Sequence, residues 1–169
     1  GRIVIVSSEA HTFVKKLTVD DVERFTQNPI VHTSFTMVQD CLNQYGFTKL
    51  CNLYQMYSLN EELQRDGVKS VTVNAIHPGA VKTELNRDVQ NLPFFQRVVL
   101  SPIIGVAQKF FFKDVAEGAQ TQIYAACSPD MLGVSGLYLS DCKEARTTDL
   151  ARNVEVRAKL IDLTLQQLH

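Results

Sequence analysis

The sequence predicts an α/β fold built on a parallel sheet, and three observations support this expectation. Short apolar segments at residues 3–6, 68–76 and 134–140 are separated by stretches with helical periodicity. The first segment is the β-branched run IVIV, which is typical of a parallel strand buried on both faces. The alternation of strand and helix at these lengths favours right-handed crossover connections within one sheet of three strands.

The chain is expected to form a single partial domain over residues 1–169. Its length and its apolar content of 45% suit one globular domain with one core. A strand buried on both faces rarely opens a domain, because its edges and faces need cover, and no Met precedes Gly1. We therefore expect upstream sequence to be missing, with a processed N-terminal strand as the alternative.

The first half of the chain predicts a polar connection and then one long helix. Residues 9–40 show no sustained period, so they should connect the elements with at most a short helix. Residues 40–66 carry two apolar stripes at helical spacing, which predicts a long helix buried on several sides. Gly67 is the expected C-terminal cap.

The second half predicts a lid and two shorter helices. Residues 84–113 are apolar but broken by prolines and a glycine, which favours a lid of short helices. Asp114 and Glu117 have the capping-box spacing and predict a helix that runs to Cys127. Residues 148–167 predict a closing amphipathic helix.

Charge and composition argue against several function classes. The net charge is −1 and the lysines and arginines are scattered, so a nucleic-acid partner is not expected. The four cysteines match no zinc spacing, and no metal site is predicted. No apolar run reaches the roughly 20 residues of a spanning helix, and no leader opens the chain, so membrane-spanning and secreted forms are not expected either.

Two polar side chains near the start of the long helix form a candidate proton-transfer pair. Tyr45 and Lys49 are four residues apart, so both side chains emerge on the same face of a helix. An ammonium group beside a phenol favours the phenolate, which makes proton exchange feasible near neutral pH. The alternative is a solvated lysine next to a core tyrosine.

Further polar groups follow the first two strands, where α/β sheets place ligand chemistry. Ser8 closes the first strand with a hydroxyl that could bond a substrate carbonyl or alcohol, although a cap or turn serine is the commoner role. The second strand ends in HPGAVKT at residues 77–83, a stiff turn that can receive an amide or phosphate of a nucleotide. His77 itself is interpreted as structural.

A resemblance to a known family rests on three segments that occur together and in order: RIVIVSS at residues 2–8, YGFTKL at residues 45–50 and VNAIHPG at residues 73–79. Together they resemble the short-chain dehydrogenase/reductase family. Further segments are similar to retinol dehydrogenases and the related WW-domain-containing oxidoreductase: SSEAH at residues 7–11, EGAQT at residues 117–121 and GVSGLY at residues 133–138. The likeness covers nearly the whole chain.

The resemblance implies the C-terminal half of a Rossmann-type doubly wound sheet that carries NAD(P)-dependent oxidoreductase chemistry. Hydride would pass between NAD or NADP and an alcohol or carbonyl of a lipophilic substrate such as a retinoid or steroid. Tyr45 would be the general acid/base, Lys49 would favour its phenolate and bind the nicotinamide ribose, and Ser8 would hold the substrate oxygen. Besides Tyr45 and Lys49, four residues would line the nicotinamide side: Pro78, Gly79, Val81 and Thr83. Residues 94–112 would correspond to the substrate lid, with a helix pair on the core as the alternative.

The resemblance is incomplete on the nucleotide-binding side. The family's glycine-rich turn, its Asn-Ala-Gly segment and the residue that selects NAD or NADP have no counterpart in this chain. Ile5 also stands where many members carry Asn. The chain by itself is therefore not expected to bind a dinucleotide in the family's way, and the choice between NAD and NADP does not follow from it.

Three functional hypotheses remain open. The first is a fragment of an active oxidoreductase. The second is a catalytically inactive truncated member of the family that acts as an interaction module and forms a homodimer through the long helix. The third is association with a membrane surface through the apolar lid, although the basic flank that such helices use is missing. An intracellular location is expected, either cytoplasmic or on an organelle membrane.

Overall fold

A computed structural model of the chain describes residues 1–27, 37–79 and 113–167. The strands in these parts are β1 (Arg2–Val6), β2 (Thr72–His77), β3 (Tyr138–Ser140) and β4 (Lys143–Glu144). The α-helices are α1 (Val19–Gln27), α2 (Met37–Arg65), α3 (Val115–Cys127) and α4 (Val154–Gln166). Short 3-10 turns occupy Glu9–Phe13, Pro129–Met131 and Leu150–Arg152. The predicted lid at residues 94–112 lies outside the described residues.

The sheet has the order β1-β2-β3-β4 and confirms the predicted α/β class. The first three strands are parallel, whereas β4 runs antiparallel to β3. This fourth strand is missing from the three-stranded sheet that the sequence predicts. It forms because Asp141 and Cys142 have φ of 52° and 58°, the left-handed conformation that a tight two-residue hairpin turn requires. Their residue types do not carry the usual Asn-Gly signal of such a turn.

Strand β1 is less buried than the sequence predicts. Ile3 and Val6 are 37% and 43% exposed, whereas the partly buried Val4 and Ile5 pack against buried clusters of the sheet. Within the described residues β1 has β2 as its one sheet neighbour, because it stands first in the strand order. The expectation of complete burial on both faces was therefore wrong for this part of the chain.

Strands β2 and β3 are shorter than the apolar segments that predict them. Their lengths are set by pairing, since β2 begins at Thr72 opposite Arg2 and β3 begins at Tyr138 opposite Ala75. The chain just before β3 is held differently: the buried Asn74 side chain accepts from the N–H of residue 137 at 2.9 Å and donates to the carbonyl of residue 134 at 2.8 Å. An amide side chain thus replaces part of the backbone ladder.

Helices cover the two faces of the sheet with different cores. In the described parts of the chain, the α2 face carries the larger cluster, which includes Leu50, Leu53, Tyr54 and Met56 with no exposed surface. The other face carries a smaller cluster in which α3 meets the sheet: Ile76, Ala125, Met131 and Leu139. Helices α1 and α4 contact each other beside α2.

The sequence signals for two helix ends agree with the structure, and those for a third do not. Asp114 caps α3 and forms a complete capping box with Glu117, as predicted. Helix α2 ends near Gly67, which has φ of 69°, and the N–H of Val68 bonds the carbonyl of Leu63 at 2.9 Å. The closing helix begins later than predicted, because the chain first makes a 3-10 turn and Asn153 then caps α4.

Candidate active site at the carboxyl edge of the sheet

The candidate site lies where β1 and β2 end side by side. The two strands run in the same direction, with Val6 paired to Ile76 at their last common position. The chain leaves β1 through Ser7 and Ser8, and β2 ends at His77. Because the carboxyl ends of parallel strands meet at one edge of a sheet, groups that follow them can serve one ligand.

The two adjacent serines have different environments. Ser7 is 1% exposed, and its hydroxyl donates to the backbone oxygen of Lys49 at 2.8 Å. Ser8 is partly buried, and its Oγ accepts the N–H of Ala10 at 3.2 Å as the cap of the turn Glu9–Phe13. This contact uses a lone pair of the oxygen, so the hydroxyl proton of Ser8 can still be donated to a ligand. Ser7 ties β1 to α2, whereas Ser8 combines the cap role with an available donor.

Tyr45 and Lys49 lie together on α2, next to the end of β1. The Lys49 Nζ is 5.5 Å from the centroid of the Tyr45 ring, a cation–π distance. The same Nζ donates to the carbonyl of Val6 at 3.4 Å. Tyr45 is 49% exposed. The alternative of a core tyrosine therefore does not hold, and the phenol is accessible to a ligand.

Asn52 makes a second contact of α2 with the end of β1, and it is not among the site residues that the sequence predicts. Its Nδ2 donates to the carbonyl of Val6 at 2.9 Å. The last carbonyl of the strand thus accepts from Lys49 and from Asn52, which is three residues further along the helix. Its signal in the sequence was a polar residue on the same helix face as Lys49. The contact fixes the register of α2 against β1.

Gly46 allows α2 to approach the turn that follows Ser8. A Cβ at this position would lie 2.5 Å from the backbone oxygen of Ala10, closer than such contacts occur. Gly46 is buried although it is flanked by the exposed Tyr45. The missing side chain therefore lets this part of α2, with the adjacent Tyr45, lie against the turn capped by Ser8.

His77 joins the end of β2 to the same turn. Its Nδ1 accepts the N–H of Glu9 at 3.4 Å, and its Nε2 is 3.8 Å from the Glu9 carboxylate. Burial lowers the pKa of His77, and the Glu9 carboxylate acts in the opposite direction. These contacts indicate that the His77 side chain holds the turn Glu9–Phe13 in place.

The turn after β2 is also closely packed. Gly79 has φ of 87°, and a Cβ there would meet the Lys113 side chain at 2.9 Å. Lys113 forms an ion pair with Asp141, and its hydrogen bond holds the pKa of that carboxyl below its usual value. Of the predicted nicotinamide-side residues, Pro78 and Gly79 lie in the described turn. Val81 and Thr83 lie outside the described residues.

The arrangement places a phenol, an ammonium group and a hydroxyl along one edge of the sheet. Such a set can exchange a proton at the phenol oxygen and hold a polar oxygen atom of a ligand. In the described parts of the chain, no group of three His, Cys, Asp or Glu side chains could hold a metal ion. No helix in those parts is long and apolar enough to cross a membrane.

Comparisons with known proteins identify similar dehydrogenases. The chain is 36% identical to "Retinol dehydrogenase 14" of Mus musculus over 97% of its own length and 43% of that protein. It is 35% identical to "Polyprenol dehydrogenase" of Danio rerio over 95% of its length and 43% of that protein. It is also 30% identical to "Short-chain dehydrogenase TIC 32 B, chloroplastic" of Brassica napus, over 98% of its length and 46% of that protein. The chain thus spans less than half the length of these relatives, and it matches their C-terminal part.

A solved structure supports the fold. An uncharacterized protein from Mycobacterium Paratuberculosis superposes with a TM-score of 0.60 at 20% identity. The superposition covers 98% of this chain and 49% of the other. At this identity the likeness concerns the fold alone. No family model matches the chain.

Proposed function

Because the chain belongs to the short-chain dehydrogenase/reductase family, we propose that it is the catalytic part of an NAD(P)-dependent oxidoreductase. It would transfer hydride between NAD(P)(H) and an alcohol or carbonyl of a lipophilic substrate such as a retinoid or steroid. The observation that carries the proposal is the Lys49 ammonium 5.5 Å from the Tyr45 ring centroid, at the end of β1.

Tyr45 acts as the general acid/base in this proposal. In the oxidation direction, the substrate hydroxyl gives its proton to the phenolate oxygen while the carbon gives up a hydride. In the reduction direction, the phenol returns the proton to the developing alkoxide. The 49% exposure of Tyr45 supports this role, because a substrate oxygen must reach the phenol.

Lys49 has two roles, and the polar contacts at β1 support both. Its ammonium stabilises the phenolate of Tyr45 electrostatically. Its contact with the Val6 carbonyl, which Asn52 also binds, holds the ammonium close to the sheet edge. An ammonium held at that edge would suit the hydroxyls of a nicotinamide ribose.

The described residues fit one end of the cofactor. The Pro78-Gly79 turn follows β2 directly and would lie beside the nicotinamide, with Val81 and Thr83 continuing the same segment. A nicotinamide dinucleotide, when bound, supplies the carbon that accepts or donates the hydride. The pyrophosphate needs a glycine-rich turn at a helix N-terminus, which this chain lacks. We infer that the cofactor binds across this chain and a further segment.

Ser8 binds the reacting oxygen of the substrate in the proposal. Its hydroxyl proton is available because the hydrogen bond from Ala10 uses a lone pair of the oxygen. A donor at this point would orient the carbonyl or alcohol between Ser8 and Tyr45. Orientation of this kind contributes to rate by fixing the reacting atoms before the chemical step.

An apolar surface near Tyr45 supports a lipophilic substrate. Phe13 is 45% exposed, and its Cβ lies 3.4 Å from the position that a Cβ on Gly46 would take. The exposed Phe13 thus lies beside Gly46, the residue that follows Tyr45 on α2. Two relatives are named for retinol and for polyprenol, both lipophilic alcohols.

The first experiment measures NADH and NADPH binding by calorimetry. The 169-residue chain is compared with an extended form in which the nucleotide-binding segment of a family member precedes Gly1. Binding by the extended form alone is expected, because the chain lacks the pyrophosphate-binding turn. Binding by neither form would contradict the oxidoreductase proposal and favour the second hypothesis of an inactive interaction module that dimerises through α2.

The second experiment replaces the proposed acid/base. Tyr45→Phe in the form that binds cofactor should lower turnover of a retinoid substrate by about 100-fold or more, because general acid–base catalysis typically contributes that much. Tyr124→Phe on α3 is the matched control and should leave turnover unchanged. Full turnover by the Tyr45 variant would eliminate the assignment.

A further inference from the structure

The turn that presents Ser8 is closed by the side chain of His11. The carbonyl of Ser8 accepts two hydrogen bonds from His11, one from its backbone N–H at 3.2 Å and one from its Nδ1 at 2.7 Å. The His11 side chain has no exposed surface. The buried imidazole of His11 therefore holds the backbone carbonyl of Ser8.

We propose that His11 is a positioning residue for the candidate active site. Its neutral imidazole, protonated on Nδ1, holds the Ser8 carbonyl and thereby fixes the direction of the Ser8 hydroxyl. The inference rests on the proposed function, since it gives Ser8 its task of holding the substrate oxygen. His11 itself contacts neither substrate nor cofactor in this proposal.

The surroundings of His11 favour one tautomer. Because Nδ1 donates to a carbonyl, Nε2 carries a lone pair in the neutral ring. Nε2 is buried and finds no hydrogen-bond partner among the described residues. A proton on Nε2 would therefore leave an unsatisfied donor in the interior, which costs stability. The proton is expected to stay on Nδ1.

Three groups face the imidazole from different elements. The Tyr138 ring on β3 meets it edge-to-face, with centroids 5.3 Å apart and an interplanar angle of 82°. Glu9 on the same turn raises the pKa of His11, and His11 in turn lowers the pKa of His77 at the end of β2. Burial lowers the pKa of His11, while the Ser8 carbonyl and Glu9 act in the opposite direction. These surroundings support a neutral ring at physiological pH.

Ala10, which precedes His11, connects the turn both to the Ser8 hydroxyl and to α2. The Ala10 N–H donates to the Ser8 hydroxyl oxygen, and the Ala10 carbonyl lies against Gly46 on α2. The turn is thus held between the His11 ring and α2 at Gly46. If the His11 contact were lost, the turn would be free to shift, and the distance between Ser8 and Tyr45 would change.

The first test reads the tautomer in the 169-residue chain by long-range ¹⁵N–¹H NMR of the histidine rings. His11 should carry its proton on Nδ1. His77 provides an internal contrast, because its Nδ1 accepts the N–H of Glu9 and its neutral ring should carry the proton on Nε2. Protonation of His11 on Nε2, or exchange between both nitrogens, would overturn the proposal without reference to activity.

The second test uses two amides of similar polarity in the form that turns over substrate. His11→Asn keeps an N–H donor near the Nδ1 position, whereas His11→Gln moves its amide toward the Nε2 position. His11→Asn should keep kcat within about threefold, and His11→Gln should lower kcat by about 10- to 100-fold, as expected for a misplaced catalytic group. KM for the cofactor should stay unchanged in both.

The outcomes separate this inference from the proposed function. Equal kcat values for His11→Asn and His11→Gln would overturn the positioning role while the oxidoreductase activity stands. Absence of turnover by the unmodified protein would overturn the proposed function and, with it, the catalytic consequence of the His11 contact. The tautomer measurement tests separately whether His11 carries the Nδ1 proton that the hydrogen bond to Ser8 requires.

Discussion

The two faces of the sheet differ in how they are covered. On the α2 face, side chains such as Leu53 and Tyr54 have no exposed surface and belong to one cluster with residues of β2 and β3. Among the described residues, the buried cluster of the α3 face is small, and α3 leaves Val115 and Ile123 69% and 54% exposed. Tyr45 and Lys49 belong to α2. The candidate active site is therefore attached to the more completely buried layer, which suits groups that must be held in fixed positions.

The largest expected effect compares a core leucine of the α2 face with an exposed leucine near α3. Leu53→Ala should lower the free energy of unfolding by about 2–5 kcal/mol, because it removes buried methyl groups and leaves a cavity. Leu132 is 80% exposed, so Leu132→Ala should change it by less than about 0.5 kcal/mol. Urea unfolding of both variants measures the difference. Equal losses would mean that the two faces do not differ in stability as their burial indicates.

A smaller effect tests the close approach of α2 to the Ser8 turn. Alanine normally favours a helix over glycine, but at Gly46 its Cβ would collide with the backbone oxygen of Ala10. Gly46→Ala should therefore destabilise the chain by about 1–3 kcal/mol, as overpacking does. Gln55→Ala, at an exposed position of the same helix, is the control and should be nearly neutral. Thermal unfolding checks both, and a stabilised Gly46 variant would contradict the packing.

The third effect concerns pH and the histidines on the α2 side of the sheet. Burial lowers the pKa of His11 and of His77 below the ordinary value of 6.5. The folded state therefore favours their neutral forms. Their contribution to stability is complete above the unfolded pKa and is lost as pH falls through the lower folded pKa.

Thermal unfolding from about pH 8 to about pH 5 measures this contribution in a window above the usual carboxylate range. The melting temperature should be constant at the upper end and fall below about pH 6.5. His11→Asn should reduce the slope, since one of the two histidines is removed. A melting temperature that is independent of pH across this window would show that burial does not hold these rings neutral.

Local sequence signals predicted the helix ends well. The Asp114–Glu117 capping box and the cap at Gly67 appear in the structure because they depend on residues within one or two turns. Strand lengths were predicted less well, since β2 begins at Thr72 rather than at residue 68. A strand ends where its partner ends, and the partner is remote in sequence.

The candidate site, like the fold, was predicted where the signal is local and was not predicted where a contact joins distant segments. Helical spacing places Tyr45 and Lys49 on one face, and their contact is observed. Their catalytic roles, and that of Ser8, stay predictions. Gly46 and Asn52 were not identified as site residues, because each acts through a backbone oxygen of a distant segment.

The sequence by itself determined the α/β class, the order of the main elements and the family, because periodicity, caps and joint motifs are written in neighbouring residues. The tertiary structure decided what each polar group does. In the folded chain, Ser7 donates to the backbone oxygen of Lys49, whereas the Ser8 hydroxyl proton is available to a ligand. The His11 ring bonds the Ser8 carbonyl. The physical reason is that hydrogen-bond partners and burial depend on which remote segments meet at the sheet edge, and one-dimensional patterns do not contain that information.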